Sequence, residues 1–312
     1  MSTSHHDHAD LPPPRVEEVS DGLFAYIQPD GSWFINNTGF LVGRDLVVSI
    51  DTCSTERRTR DYLAAVESVA GRAPRTLVTT HHHADHTNGN YLLPYATIIG
   101  HERCREEVLK MGIVRPEGMF EPVVWGDLEL AAPFVTIEER ACVHVDDLRV
   151  ELLHLASAAH TTNDLVAWVP ERRVLYAGDL IFNGGTPFVL MGSVAGSLEA
   201  LDRIMELEPD VIVPGHGAVC GIEQVDACGR YLRWLQTIAP ELKGAGLSPL
   251  EGAREVDLGP YAELLDAERL PGNLHRAYAE LDGAAPGADI DVMTAFADMI
   301  AFNGGRPLRC LA

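Results

Sequence analysis

The stretch Thr79-Thr80-His81-His82-His83-Ala84-Asp85-His86-Thr87-Asn88-Gly89-Asn90 decides what fold this chain is expected to have. It sets His81, His83, Asp85 and His86 in the spacing His-x-His-x-Asp-His. The run directly before it, residues 75–80, is apolar and β-branched and reads as a short buried strand. At a strand end, side chains two apart point the same way, so His81 and His83 share a side. Asp85 and His86 then enter a turn or a helix start and can face a second point close by. Imidazole nitrogens with a carboxylate suit a borderline-soft divalent cation, zinc first, with iron or manganese as the other candidates. The plain alternative is a histidine run in a solvated loop. The position of the run, inside the chain at a strand end with partners downstream, speaks against it.

Those partners are His160, Asp179 and His216, each just past a strand pattern. One histidine after a strand is more often a satisfied loop residue than a ligand. Four strand ends carrying ligand types in one chain reverse that balance. Gly178, Gly215 and Gly217 stand beside them, as tight turns and close backbone approach require. His82, His101, His144 and His154 have no partner at such a spacing and are expected to be structural, with His82 hydrogen-bonding behind the cluster.

Composition narrows the function classes. At 312 residues the chain can bury one large core, with or without an appendage. A formal charge of −22 argues against nucleic acid or an anionic membrane as the natural partner. No uninterrupted apolar run of about 18 residues occurs, and the start lacks a charged-then-apolar signal pattern, so a soluble cytoplasmic protein is the expectation. The six cysteines are scattered and read as reduced thiols, with Cys53 and Cys220 as buried fillers rather than ligands.

In chain order, residues 1–14 read as a disordered leader, 15–220 as a catalytic domain and 221–312 as a helical appendage covering the active site. Residues 16–28 and 33–42 suggest a hairpin turning at Pro29-Asp30-Gly31, followed by a strand over 45–50. Ser54 or Thr55 caps a helix over 56–69, and a strand over 96–101 leads into a helix over 102–111. Residues 114–133 show no clear pattern. Strands are then expected over 134–138, 140–145, 148–154, 165–169 and 174–177. Ser197 is expected to cap a helix over 198–207. Helical periodicity returns over 225–239, 249–256, 260–265, 270–281 and 291–302. Alternating strands and helices after an opening run of strands predict α/β layers.

Taken together, His81-x-His83-x-Asp85-His86, His160, Gly178-Asp179 and Pro214-Gly215-His216-Gly217 resemble the ligand set of the metallo-β-lactamase superfamily, over roughly residues 16–220. The resemblance implies an αββα sandwich with metals at one edge between the sheets. It implies that His81, His83 and His160 hold one cation, that Asp85, His86 and His216 hold a second, and that Asp179 bridges both. Family members that hydrolyse thioesters or lactones carry this aspartate where true β-lactamases usually have Cys or Ser, which speaks against a β-lactam substrate. The flanks, residues 28–37, 99–105, 182–193 and 302–307, resemble actinobacterial cyclases of aromatic polyketide biosynthesis. These actinorhodin-type enzymes close rings and release the chain from its carrier thioester.

The implied cofactors are two zinc ions, with iron or manganese as substitutes. Asp85 would also orient the nucleophile or take its proton. The implied partner is a small-molecule or acyl-thioester substrate, presented on an acyl carrier protein in the cyclase case; the oligomeric state is left open. Trp33, Phe34, Phe188 and Met191, with Phe182 beside them, would line the substrate groove, plain core packing being the equal alternative. Asn36, Asn37 and Asn183 are expected to form turns. Three other readings stay open: a lactonase or glyoxalase II-like thioesterase, an iron-dependent oxidoreductase of the persulfide dioxygenase kind, and a metal-stabilised scaffold without turnover.

Overall fold

Alternating apolar residues at the start of the chain form β1 (Arg15–Ser20), β2 (Leu23–Ile27), β3 (Thr38–Val42) and β4 (Val47–Ile50) in the computed structural model, which describes residues 11–312. Most of the expected leader, residues 1–10, lies outside the described residues, and 11–14 run irregularly into β1. Helix α1 (Glu56–Ala70) begins where the Thr55 hydroxyl accepts from the Arg58 amide and ends at Gly71, whose φ of 67° is left-handed. Next come β5 (Thr76–Val78), the single turn α2 (Ala84–Thr87), β6 (Thr97–His101) and α3 (Glu102–Met111). Then follow β7 (Val135–Ile137), β8 (Arg140–Val145), β9 (Leu148–Leu153), β10 (Val166–Val169), β11 (Val174–Phe182), α4 (Val194–Leu207) and β12 (Val211–His216). The rest is helical: α5 (Glu223–Gly244), α6 (Pro249–Glu255), α7 (Arg269–Leu281) and α8 (Val292–Phe302).

Among the described residues the strands form two sheets, ordered β1-β2-β3-β4-β5-β6-β7 and β12-β11-β10-β9-β8. Successive strand side chains point to opposite faces, and both faces here are apolar. Leu23, Leu41 and Val48 of the first sheet meet Leu152, Val169 and Tyr176 of the second. The intervening residues Tyr26, Phe40 and Val47 turn outward onto Tyr62 and Val66 of α1. On the far side Trp168 and Leu175 turn outward onto Leu201 of α4, Leu235 of α5 and Leu274 of α7. Helix, sheet, sheet, helix is therefore the layer order, and the αββα expectation is borne out. No helix among the described residues is long and apolar enough to cross a membrane.

Five local expectations are corrected. The expected first strand, 16–28, is itself a hairpin turning at Asp21-Gly22, and of the expected second strand, 33–42, only Thr38–Val42 forms, pairing with Leu23–Ile27 across the loop 28–37. Buried amides hold that loop instead: Gln28 donates to Asn36 O at 2.6 Å, and Asn37 reaches across to Pro214 O at 2.9 Å and Gly217 O at 2.6 Å. Asp179 lies within β11 rather than past it, because parallel pairing with β12 carries β11 on to Phe182 through register shifts at Gly178. Ser193, not Ser197, caps α4, its hydroxyl accepting from the Gly196 amide at 3.0 Å. The helix expected over 260–265 is one 3-10 turn, Gly259–Tyr261. His154 sits just beyond β9, its Nδ1 bonded to Asp164 O at 2.9 Å.

Two outcomes follow from the packing. A Cβ on Gly39 would overlap the Tyr176 ring across the sandwich, so Gly39→Ala should lower stability by about 1–3 kcal/mol in urea unfolding. His101 Nδ1 accepts from the Arg103 amide at 3.0 Å and caps α3, which requires an unprotonated ring. Burial first, then His154 and Arg103, bring its pKa down to about 4, below the unfolded value of about 6.5. This contribution is complete above pH 6.5 and is lost as pH falls towards 4. Between those limits the native chain should lose on the order of 2 kcal/mol more than His101→Asn, which keeps a capping oxygen.

Candidate metal centre

The sequence-predicted ligand types meet where the chain leaves β5, within β11, at the end of β12 and in the β9–β10 connection. Thr80 donates from its amide to Asp51 Oδ1 and from its hydroxyl to Asp51 Oδ2, both at 2.7 Å, which fixes the chain as it leaves β5. His83 stands at the N-cap of α2, whose one turn carries Asp85 and His86. His160 lies between β9 and β10, Asp179 in β11, and His216 ends β12. A Cβ on Gly215 would overlap Asp179 Oδ1, so glycine there is a condition for this carboxylate's position.

The donors form two groups. His81, His83, His160 and Asp179 make one, and Asp85, His86 and His216 the other, with the ligand atoms of each group within 4.8 Å of one another. Asp179 stands between them: Oδ2 is 3.4 Å from His160 Nε2 and 3.4 Å from His216 Nε2, and Oδ1 is 3.1 Å from His86 Nε2. Asp85 Oδ2 lies 3.3 Å from His216 Nε2. Within the first group His83 Nδ1 and His160 Nε2 approach to 2.8 Å. Three buried atoms aimed into this arrangement, His81 Nε2, His86 Nε2 and Asp179 Oδ1, have no hydrogen-bond partner. The short His86–Asp179 separation therefore lacks hydrogen-bond geometry; both atoms face a shared centre. Buried polar atoms are rarely left unpaired, and this donor set fits divalent cations.

The opposite ring nitrogens are held from outside. His86 Nδ1 donates to Asp51 Oδ2 at 2.8 Å, His160 Nδ1 to Phe188 O at 2.6 Å, and His216 Nδ1 to Gly31 O at 3.1 Å. His81 Nδ1 reaches the Thr80 hydroxyl at 3.1 Å. Burial, reinforced by neighbouring imidazoles, holds His81 and His83 well below the usual imidazole range. Burial opposes protonation of His86 as well, but Asp179, Asp51 and Asp85 outweigh it and raise its pKa. Burial likewise works against His216, which Asp179 and Asp85 raise to about 9. Burial would raise Asp179, yet His216, His86 and His160 hold it well below the carboxylate range. Cation binding among these groups competes with protons and weakens in acid.

A cavity of about 370 Å³ opens over the two groups. All four residues expected to line it, Trp33, Phe34, Phe188 and Met191, do so, as does Phe182. The remaining wall includes Met111, Met119 and Phe120 together with Val292, Met293 and Phe296 of α8, the Phe120 and Phe296 rings lying 6.0 Å apart. Arg115 and Arg269 are its charged residues outside the two donor groups. As expected, His82 lies behind the cluster, its Nδ1 3.0 Å from Asn163 Nδ2. The His101 and His154 rings lie tilted against each other with centroids 4.3 Å apart, and His144 is exposed. Asn183 donates to Ala218 O at 2.9 Å.

Sequence reasoning missed Asp51, whose only signal was an acidic residue ending a buried strand, and Arg269, which had none.

A metal-site sandwich of this kind defines a class, and the comparisons agree with it. Residues 31–216 match the metallo-beta-lactamase superfamily, and the chain belongs to that superfamily. It is 28% identical over 206 residues to the 2,4-dinitroanisole O-demethylase subunit alpha of Nocardioides sp. strain JS1661, covering 65% of this chain and 55% of that one. It is 21% identical over 220 residues to the human acyl-coenzyme A thioesterase MBLAC2, covering 61% of this chain and 75% of that protein. The chain thus spans about half the length of the first of these relatives. The solved metallo-beta-lactamase from Pontibacter korlensis superposes with a TM-score of 0.60 at 15% identity, covering 71% of this chain and 99% of that one, a likeness of fold.

Asp51→Asn replaces an acceptor shared by Thr80 and His86. Metal retained after dialysis against a graded chelator should show affinity falling by about 10–100-fold, with the fold intact by circular dichroism.

Proposed function

We propose that this metallo-β-lactamase-fold hydrolase holds two divalent cations, zinc first, and acts as a cyclase and thioesterase on a flat aromatic acyl thioester of the polyketide kind. His81, His83 and His160 would hold one cation and Asp85, His86 and His216 the other, with Asp179 shared between them. Bound there, the pair would polarise the scissile carbonyl and ease deprotonation of water near neutral pH. The observation that carries the reading is the cavity: five of the seven donor residues, His83, Asp85, His160, Asp179 and His216, line an apolar, aromatic slot, with His81 and His86 behind them. Its volume, about 370 Å³, lies in the range of small-molecule sites. Arg269 in the wall is already engaged by Thr186 O at 2.9 Å and Asp266 Oδ2 at 2.9 Å. A substrate with a large polar head therefore finds few anchors, whereas an aromatic acyl group finds ring faces to stack on.

In hydrolysis, Asp85 Oδ1 takes the proton of the attacking water as the carbon–oxygen bond forms, and returns it to the sulfur as the carbon–sulfur bond breaks. In ring closure, the same oxygen takes a proton from the carbon between two carbonyls; as that carbon bonds to a second carbonyl carbon, the C=O π bond of the latter breaks and its oxygen takes the proton back from Asp85. Trp33 and Phe188, with ring centroids 5.1 Å apart, would hold the acyl plane, and the helices over residues 221–312 would keep bulk water out. The thioesterase named among the relatives supports the thioester half; ring closure rests on the cavity and on the flanking resemblance.

Elemental analysis should find close to two zinc ions per chain. Hydrolysis of an aryl thioester should stop on chelation and return with zinc. Trp33→Ala should raise KM for the aryl thioester about tenfold or more while changing that for an acetyl thioester little. One iron per chain with no thioester turnover would overturn this function in favour of the oxidoreductase reading.

A further inference from the structure

The ligand histidines differ in what holds them from outside. His86 has a carboxylate, His160 and His216 have backbone carbonyls, and His81 has a hydroxyl that itself donates to Asp51. His83 has a thioether. Its Nδ1 turns inward, 2.8 Å from His160 Nε2, and its Nε2 lies 3.3 Å from Met191 Sδ. Sulfur of this kind is a weak acceptor, and a metal-bound imidazole owes its orientation and basicity to the acceptor on its other nitrogen.

The contact is built, not incidental. Helix α7 pins the backbone that leads into Met191. Arg269 donates to Thr186 O at 2.9 Å, Asn273 donates to Pro187 O at 2.8 Å and accepts from the Val189 amide at 2.9 Å, and Arg276 Nε donates to Leu190 O at 3.0 Å. Arg269, Asn273 and Arg276 are all buried. The same pinned segment presents Phe188 O to His160. Two of the three histidines of one cation site thus take their outer partners from a stretch held by a helix outside the family-matched residues 31–216.

We propose that Met191 is the positioning residue of His83, and that its weak acceptance sets the affinity of the His81/His83/His160 site separately from that of the Asp85/His86/His216 site. The inference rests on the dinuclear reading above. The test is a Co²⁺ titration of the metal-freed full chain against a competing chelator, followed by visible absorption, and needs no turnover. Met191→Leu, close to isosteric, should weaken one of the two binding constants by about threefold or more and shift the band of that site. Met191→Gln, which offers a stronger acceptor, should bring the same constant back to the native value or beyond it. The other constant should stay within about twofold in both variants. Two unmoved constants, or two that fall together, would overturn the proposal. A native chain that binds no Co²⁺ would overturn the dinuclear reading itself.

Discussion

One buried carboxylate frames the candidate metal centre. Asp51 directly follows β4 with a left-handed φ of 61° and receives the Thr80 amide, the Thr80 hydroxyl and His86 Nδ1. An ionised carboxylate without such donors would be costly in an interior. With them it ties the end of one strand to the exit of the next and to the turn that carries Asp85 and His86. The Thr52 hydroxyl extends the tie to Asn90 Oδ1 at 2.9 Å. The histidine motif is thereby held at a fixed distance from β4 before any of its members meets a partner from the second sheet.

The second sheet is brought in chiefly by packing. Leu41 and Val48 press on Leu152, Val169 and Tyr176, and that contact sets how far β11 and β12 stand from β5. Asn37 adds a polar bridge to the end of β12. Asp179 can stand between the two donor groups only because Gly215 leaves room for it. Two donors on strands β11 and β12, the others on segments anchored at strand ends, and glycine where the backbone must come close give the site its fixed geometry.

Walls and floor have different origins. The floor comes from strand ends, whereas the aromatic wall comes from loops and from α7 and α8. Arg269 joins them: its guanidinium lies 4.2 Å from the Trp33 ring centroid and 5.0 Å from that of Phe182, and Phe182 in turn stacks on His216 at 5.3 Å. Glu268 Oε1 accepts from the Trp33 indole at 2.9 Å. The start of α7 thus clasps the loop that borders the metal centre. A planar cation among aromatic rings is a stable way to keep one charge inside an apolar wall.

The sequence by itself determined the strand-end histidines and aspartates, the alternation that makes both sheets apolar on two faces, and the helical last third. Each of these is local: a period of two, a period of 3.6, or a motif of fixed spacing. It misjudged residues 28–37 because their geometry is set by Gln28 and Asn37 reaching partners elsewhere, and side-chain amides carry no period. It stopped β11 too early because strand length there depends on the neighbour β12. Residues 114–133 gave no pattern because they form no regular helix or strand, their first part, Val114 to Phe120, serving as cavity wall. Asp51, Arg269 and the thioether on His83 were decided by tertiary structure alone, because each acts through a partner distant in sequence. Only folding sets those distances.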